Sequence, residues 1–276
     1  MTAGSVVLLD GARLVGAVAL SDAAGWNQTE QDWRRLGDLE PEGCFGVEVD
    51  GAIVATTTVT CYGRSLAWIG MVVTRPEYRR LGFARRLMTR ALDYCERRGI
   101  DWIKLDATDL GRPLYAALGF MNECVLERWA RPASATIVPS PAVDRFHVDY
   151  ALDLEAFGAD RRLLLEALAR EGDAACRRGA HAFARPGRTS FHFGPCVARD
   201  DEAASDLVSW CLATHAAEDV TWDILATNSK ARALARARGF EPVRPLVRMA
   251  RRGEGGGPAL PVDDHLVYAT AGFEYG

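Results

Sequence analysis

The order of apolar and polar residues at the start of the chain predicts two short amphipathic helices. Asp10 can cap a helix over residues 13–20, because its side chain can accept hydrogen bonds from the free N–H groups of a first turn. Thr29, followed three residues later by Asp32, resembles a capping box and predicts the start of a second helix. Pro41 predicts the end of that helix, since proline does not continue one.

The pattern then changes to the two-residue period of strands. The segments CFGVEVD and AIVATTTVTCYG are predicted to pair as a hairpin, because the Asp50-Gly51 dipeptide between them suits the positive φ angles of a tight turn. A third strand is predicted over 66–74, and apolar residues on one face predict a helix over 83–98. A strand at DWIKLDA, a short helix over 112–118 and a strand at CVLERWA complete the order of elements.

The second half of the chain repeats this order. Residues 102–120 align with residues 222–240 without a gap, and seven of the nineteen positions are identical, including the tryptophan that begins each segment. Self-similarity of this extent indicates internal duplication. We therefore predict an α/β protein of two similar domains, residues 1–131 and 142–276, each a mixed, mostly antiparallel sheet flanked by helices. The proline-rich stretch over 131–141 is predicted to connect them.

Composition narrows the class of protein further. The 276 residues carry a net charge of −4, which argues against a nucleic-acid-binding surface. No apolar run is long enough to span a membrane and no signal-peptide pattern opens the chain, so we expect a soluble, cytoplasmic protein without membrane partners. The seven cysteines and five histidines show no spacing typical of metal ligands, and no metal is expected.

A basic turn lies between the predicted third strand and the helix that follows it. Arg79, Arg80, Gly82 and Ala84 stand there in the order Arg-Arg-Leu-Gly-Phe-Ala. Free N–H groups at a helix N-terminus favour an anion, a glycine lets the backbone approach it closely, and arginines add positive charge. The turn is therefore a candidate phosphate site, and a solvated basic turn is the alternative for such a string taken alone.

In its context this segment resembles the coenzyme A pyrophosphate loop of the GNAT N-acetyltransferases, whose pattern is Q/R-x-x-G-x-G/A. The resemblance covers residues 41–130, with MVVTRPEYRR leading into the loop and LDATDLGRPLYAALGF after it. It implies that acetyl-CoA is the acyl donor and that the main chain of the preceding strand pairs with the pantetheine amides. The coenzyme contacts predicted in this way are Arg79, Arg80, Leu81, Gly82, Phe83 and Ala84 in the loop, Val72, Val73 and Thr74 in the strand, and Thr108 and Arg112 beyond it.

The resemblance also implies an acid for the leaving thiolate. Tyr115, four residues before Gly119, stands where the family has a tyrosine that protonates the sulfur of CoA. A phenol suits this role, because its high pKa keeps the proton available while its ring packs beside the coenzyme. An amphipathic tyrosine at the edge of the core is the alternative. One departure is Thr108, which stands where the family often has asparagine.

The base that takes the proton of the attacking amine is less defined. The predicted strand over 66–74, where the family often carries a glutamate, contains no acidic residue. Asp106, at the end of the next strand, is the nearest candidate, and Asp22 and Glu30 on the opening helices are others. The segment AGWNQTEQDW is expected to cover the acceptor site. Its predicted acceptor contacts are Trp26, Asn27 and Glu30.

The second half has lost the pieces that the resemblance assigns to the coenzyme. Residues 196–199 align with residues 72–75, but the stretch that follows is four residues shorter than the loop of the first half. Three acids at positions 200–202 now stand there and would repel a pyrophosphate. Ala235 replaces Tyr115. We therefore predict a degenerate second domain that closes the acceptor side, and one bound CoA per chain.

The function expected from the sequence is transfer of an acetyl group from acetyl-CoA to a primary amine, that of a small metabolite. Two alternatives stay open: an amine of a protein as acceptor, and a CoA-binding regulatory or ligand-sensing protein without transferase activity. Thiol release in the presence of a panel of amines discriminates the last alternative from an enzyme. The sequence identifies neither the individual acceptor nor the oligomeric state.

Overall fold

The structure is a computed structural model that describes residues 4–134 and 138–276. Within these ranges, twelve strands form one continuous sheet that runs through both halves of the chain, and helices cover both faces of the sheet. The predicted α/β class, with a mixed sheet flanked by helices, is confirmed. Residues 135–137 of the predicted connecting stretch lie outside the described residues.

The first half supplies six of these strands. They are β1 (Ser5–Leu8), β2 (Cys44–Val49), β3 (Ala52–Tyr62), β4 (Leu66–Thr74), β5 (Trp102–Ala107) and β6 (Met121–Arg131). The helices of this half are α1 (Gly11–Ala23), α2 (Glu30–Leu39), α3 (Phe83–Arg97) and α4 (Arg112–Ala116). Helices α1 and α2 precede β2, α3 connects β4 to β5, and α4 connects β5 to β6.

The second half repeats that order of helices and strands. Its strands are β7 (Asp173–Arg177), β8 (Ala180–Arg185), β9 (Phe191–Ala198), β10 (Val220–Leu225), β11 (Glu241–Arg252) and β12 (Val267–Ala269). Its helices are α5 (Tyr150–Phe157), α6 (Arg162–Glu171), α7 (Asp201–Thr214) and α8 (Ser229–Ala237). The succession from α5 to β11 matches the succession from α1 to β6 element by element, as the internal duplication predicts.

The two halves exchange the equivalent strands β6 and β11. The order in the sheet is β1-β2-β3-β4-β5-β11-β6-β10-β9-β8-β7. Strand β11 of the second half therefore lies between β5 and β6, and β6 of the first half lies between β11 and β10, all antiparallel. Each half completes the sheet of the other. The domain bounds at 131 and 142 stay a prediction from the sequence.

Each exchanged strand carries an arginine that binds an aspartate of the other half. Arg128 on β6 donates from Nε and Nη2 to the two carboxylate oxygens of Asp223 on β10, at 2.8 and 2.6 Å. Arg248 on β11 donates in the same way to Asp106 on β5, at 2.9 and 3.0 Å. Both aspartate side chains are fully buried. Because a buried charge without its partner is strongly destabilising, the two pairs stabilise the exchanged arrangement over one in which these aspartates have no partner.

The helices divide between the two faces of the sheet. Helices α3 and α4 pack on one face of the first half, in a core that includes Leu105 and Tyr115. Helices α1 and α2 pack on the opposite face, where α6 of the second half joins them in a core that includes Trp33, Leu164 and Tyr275. This second core contains residues of both halves, so the halves form one body on that face.

Local sequence signals explain several element ends. Thr29 and Asp32 form the predicted capping box at the start of α2. The predicted tight turn is confirmed, since Asp50 and Gly51 have φ angles of 49° and 79°. Asp10 stands at the N-cap of α1 as predicted, but its side chain binds a neighbouring arginine and makes no capping hydrogen bond. The apolar pattern did not predict β1, which pairs with β2 at the edge of the sheet.

Candidate active site

Strands β4 and β5 separate partway along their length and leave a gap. They pair in parallel over three residues only, and within the described ranges no main-chain ladder joins them beyond Trp68. The register of β4 against β3 shifts just past that point, and Met71 adopts a left-handed φ of 50°. Such a bulge bends a strand away from its neighbour. The half-buried residues Val72, Val73 and Thr74 therefore present a free main-chain edge toward β5.

The predicted pyrophosphate loop leads from this gap to the N-terminus of α3. Its exposed residues are Arg79, Arg80, Leu81 and Gly82. Gly82 is the N-cap residue with a φ of 83°, while Phe83 is buried and Ala84 is half-buried in the first turn. Among the described residues, no side chain caps this helix and its first turn carries no acid. Free N–H groups beside arginines make this end suitable for an anion.

Helix α4 holds Tyr115 on the same face of the sheet as α3. The tyrosine is only 7% exposed, packs edge-on against Phe120 and shares a core with Val72 and Phe83. Burial raises the pKa of Tyr115 to about 12. Its hydroxyl forms no hydrogen bond with the part of the chain that the structure describes. The proton of this hydroxyl is therefore not shared with another group of the described residues.

Thr108 and Arg112 lie at the turn between β5 and α4. The carbonyl of Thr108 accepts hydrogen bonds from the N–H groups of Gly111 and Arg112, which closes the turn. Thr108 is exposed, and the guanidinium of Arg112 lies 3.7 Å from the exposed carboxylate of Asp109. Both predicted coenzyme contacts therefore lie at the surface where β5 ends.

Asp106 lies on the opposite face of the sheet from Tyr115. Along β5, Lys104 and Asp106 alternate with Leu105 and Ala107, which pack in the core with α3. The Asp106 side chain is fully buried although the residue is partly exposed, so its exposed atoms are main-chain atoms. Burial raises the pKa of the Asp106 carboxyl, against the opposing effect of Arg248. The predicted acid and the predicted base thus lie on either side of the sheet.

The three predicted acceptor contacts lie near the junction with the second half. The side-chain amide of Asn27 forms hydrogen bonds with the main chain of residues 189–190. Trp26 is half-buried, and its carbonyl accepts a hydrogen bond from Arg188. Glu30 is exposed and forms an ion pair within α2. Trp26 and Asn27 therefore connect the two halves, whereas Glu30 faces solvent.

The equivalent gap of the second half is filled by the chain itself. Strands β9 and β10 also pair in parallel over three residues only. Beyond them, β12 pairs with β9 at Cys196 and Val197, the residues that align with Val72 and Val73. On the other side, the N–H of Thr270 donates to a carbonyl of β10 at 3.0 Å. In this half, β12 thus pairs with the residues whose counterparts are predicted to bind pantetheine.

The N-terminus of α7 is closed as well. Residues 199–200 alone join β9 to α7, whereas residues 75–82 join β4 to α3. Asp200 caps α7 by accepting a hydrogen bond from a first-turn N–H at 2.8 Å. Tyr268 of β12 donates a hydrogen bond to the carboxylate of Asp201. Asp200 and Asp201 therefore occupy the N-terminus of α7, whereas the equivalent N-terminus of α3 has free N–H groups.

Glu274 is a buried acid near the first gap that the sequence pattern did not identify. Its main chain packs on Gly70 of β4, so closely that a Cβ added to Gly70 would lie 2.8 Å from the Cα of Glu274. Its carboxylate accepts hydrogen bonds from Arg185 at 2.8 Å and from Gln28 at 2.9 Å. Burial raises the pKa of Glu274. A glycine inside an otherwise apolar strand was the one available signal of this close approach.

A cavity of about 250 Å³ opens on the face of the sheet that carries Asp106. Its walls come from both halves and include Trp68 and Lys104 of the first half with Phe157, Arg161 and Thr270 of the second. Trp68 and Lys104 are the last paired residues of β4 and β5. A molecule in this cavity therefore lies beside the gap, on the face opposite Tyr115.

Residues 4–134 and 138–276 contain neither a metal-binding cluster nor a membrane-spanning helix. In these ranges, no group of three or more His, Cys, Asp or Glu side chains is arranged to hold a metal ion. No helix there is long and apolar enough to cross a membrane. All seven cysteines are free thiols.

Two family profiles match the chain, one in each half. The profile described as the acetyltransferase (GNAT) family matches residues 5–120. The profile described as the acetyltransferase (GNAT) domain matches residues 150–269. The two matches leave residues 1–4, 121–149 and 270–276 uncovered, so β6 lies outside both.

Similar proteins extend over most of the chain. The uncharacterised N-acetyltransferase YitH of Bacillus subtilis (strain 168) is 28% identical over 212 residues, which are 70% of this chain and 73% of that protein. A Pyrococcus horikoshii structure assigned as an acetyltransferase superposes with a TM-score of 0.84 at 21% identity, covering 100% of this chain and 97% of the other. A tandem GNAT protein from the clavulanic acid biosynthesis pathway gives a TM-score of 0.62 at 15% identity and covers 93% and 100%. The two structures share the fold.

We expect Gly70→Ala to lower the free energy of unfolding by about 1–3 kcal/mol, because the new methyl group would overlap the main chain of Glu274. Gly37→Ala is the matched control: it lies in α2 with no atom within 4 Å of the added Cβ, and it should be neutral or stabilising. Urea denaturation of the two variants and the parent chain measures both effects. A Gly70→Ala variant as stable as the parent would contradict the described packing.

Proposed function

Because the chain belongs to the GNAT acetyltransferase family, with one GNAT domain matched in each half, we propose that it transfers an acetyl group from acetyl-CoA to a primary amine of a small metabolite. The first half, residues 1–131, is the proposed catalytic domain. The second half, residues 142–276, is the proposed degenerate domain that closes the acceptor side. The small cavity walled by both halves supports a small acceptor rather than a protein chain.

The difference between the two gaps carries this proposal. The first gap has a free strand edge and an uncapped helix N-terminus, and the second is filled by β12 and closed by Asp200 and Asp201. An extended pantetheine can pair with Val72–Thr74 through its amides, as another strand would. The diphosphate can accept hydrogen bonds from the first turn of α3, with Arg79 and Arg80 adding charge.

The proposed step forms a bond between the amine nitrogen and the acetyl carbon and breaks the carbon–sulfur bond of the thioester. In the tetrahedral intermediate the carbonyl oxygen carries a negative charge, which free main-chain N–H groups of β4 can stabilise. Tyr115 donates its proton to the departing thiolate. With a pKa near 12, its hydroxyl is protonated at neutral pH and available for that transfer.

Asp106 is the proposed acceptor of the proton that the amine loses. It lies on the face opposite Tyr115, bound to Arg248 of the cavity wall, and burial raises its pKa, which makes the carboxylate a better base than an exposed aspartate. Glu274, packed on Gly70, is the second candidate, for the same reason of burial. Both carboxylates accept hydrogen bonds that hold their orientation.

We expect Gly82→Val to weaken CoA binding at least tenfold, about 1.4 kcal/mol, because the added side chain obstructs the approach of the diphosphate to the main chain. Gly256→Val is the control, since Gly256 also has a positive φ and open space around it but lies far from the loop. Both variants carry similar backbone strain, so only the first should lose affinity in calorimetry. Unchanged affinity in Gly82→Val would contradict the assignment of this loop.

We expect Tyr115→Phe to lower turnover about 100-fold while CoA affinity stays nearly the same, because ring packing is kept and only the proton donor is removed. Thiol release with a panel of amines measures turnover and also tests the proposed activity as a whole. Tyr150→Phe, a change of the same kind on α5, should leave turnover unaltered. If Tyr115→Phe turned over normally while chemistry limits the rate, Tyr115 would have no part in the mechanism.

A further inference from the structure

The cavity beside the first gap is lined by Lys104, and Asp106 lies behind its wall, bound to the lining residue Arg248. Lys104 and Asp106 are successive residues on one face of β5, so their Cα atoms lie about 7 Å apart. Lys104 is 6% exposed and the Asp106 side chain is fully buried. The wall also carries the carboxylates of Glu123 and Asp264, so a small ligand that complements it has both an anionic group and a cationic group.

The partner of Lys104 can be replaced by a ligand. The Lys104 ammonium donates to Glu123 at 2.7 Å, which leaves two of its three N–H donors unused. The lysine side chain is 8% exposed, whereas that of Glu123 is 39% exposed. Glu123 can therefore return to water at small cost when another carboxylate takes its place at the buried ammonium.

Other polar groups of the cavity wall also lack partners. Nε and Nη2 of Arg248 bind Asp106, but Nη1 makes no hydrogen bond with the residues that the structure describes. The guanidinium carbon of Arg248 lies over the ring of Trp68, 4.5 Å from the ring centroid. This stacking fixes the direction in which Nη1 points. The hydroxyl of Thr270, a residue 1% exposed, has no partner within the described ranges. Lys104, Arg248 and Thr270 can thus each donate a further hydrogen bond to an acceptor-rich group such as a carboxylate.

The remaining walls limit the size of the ligand. Phe157, Leu225 and Leu260 give the cavity an apolar side, and its volume is about 250 Å³. A short hydrocarbon segment between the two charged groups fits such walls, whereas a bulky or extended acceptor does not.

We infer that the acceptor is a small amino acid, in the broad sense of an amine that also carries a carboxylate. Its carboxylate binds Lys104 and Nη1 of Arg248, and its amine lies toward Asp106, which takes the proton before attack on the thioester. This inference rests on the proposed function, because it identifies the cavity as the acceptor site of the transfer.

The test compares free amino acids with their primary amides, which keep the shape but lose the charge. L-Alanine, L-leucine and 4-aminobutyrate are each measured beside the corresponding amide, by calorimetric binding to the CoA-loaded chain and by thiol release from acetyl-CoA. The best acid should exceed its amide roughly 10- to 100-fold in both readouts, as hydrogen bonds to charged groups imply. The amine of an α-amino amide loses its proton more easily than the amine of the free amino acid. Intrinsic reactivity would therefore favour the amide, and a preference for the acid comes from binding.

Two variants should change the preference in opposite directions. Lys104→Gln removes the ammonium and should abolish the preference for acids, whereas Glu123→Gln removes the competing carboxylate and should increase their affinity. Lys230→Gln is the control, because Lys230 is the one other lysine of the sequence and pairs with Asp201 in the second half. A merely structural effect would not produce opposite shifts.

The outcomes separate this inference from the proposed function. Equal binding and turnover of acids and amides, or binding of neither, would overturn the inference. An absence of thiol release with every amine would count against the proposed activity, and the calorimetric comparison would still decide whether the cavity binds a carboxylate.

Discussion

The reciprocal exchange of β6 and β11 is the constraint on which the rest of the structure depends. Each exchanged strand carries its arginine to a buried aspartate of the other half, and these pairs join β5 to β11 and β6 to β10. Without β11, Asp106 would be a buried carboxylate without a partner, and β5 would end the sheet with a bare edge. The candidate site of the first half is therefore completed by a strand of the second.

The segment after β11 connects the two gaps. Tyr268 and its neighbours fill the gap of the second half, and a few residues later the carbonyl of Phe273 accepts a hydrogen bond from Trp68 at 3.0 Å while Glu274 packs on Gly70. One continuous segment thus closes the second gap and packs against β4 beside the first. We propose that the second half has lost a coenzyme site and that β12, which now fills its gap, anchors that segment.

Much of this arrangement could be predicted from local signals, and the rest could not for a physical reason. The capping box of α2, the Asp50-Gly51 turn and the bounds of β4 are each encoded by a few adjacent residues. The two-residue period of a strand indicates which face is buried but not which strand lies beside it. Because β6 and β11 stand at equivalent places in the duplicated halves, pattern alone did not reveal their exchange. The contact of Glu274 with Gly70 joins distant parts of the chain and escaped prediction for the same reason.

The stoichiometry of CoA binding tests most directly whether only the first gap accepts the coenzyme. A calorimetric titration of the intact chain should reach saturation at one equivalent of CoA, and a crystal grown with CoA should contain the coenzyme between β4 and β5. Saturation at two equivalents, or coenzyme beside residues 196–204, would contradict the account.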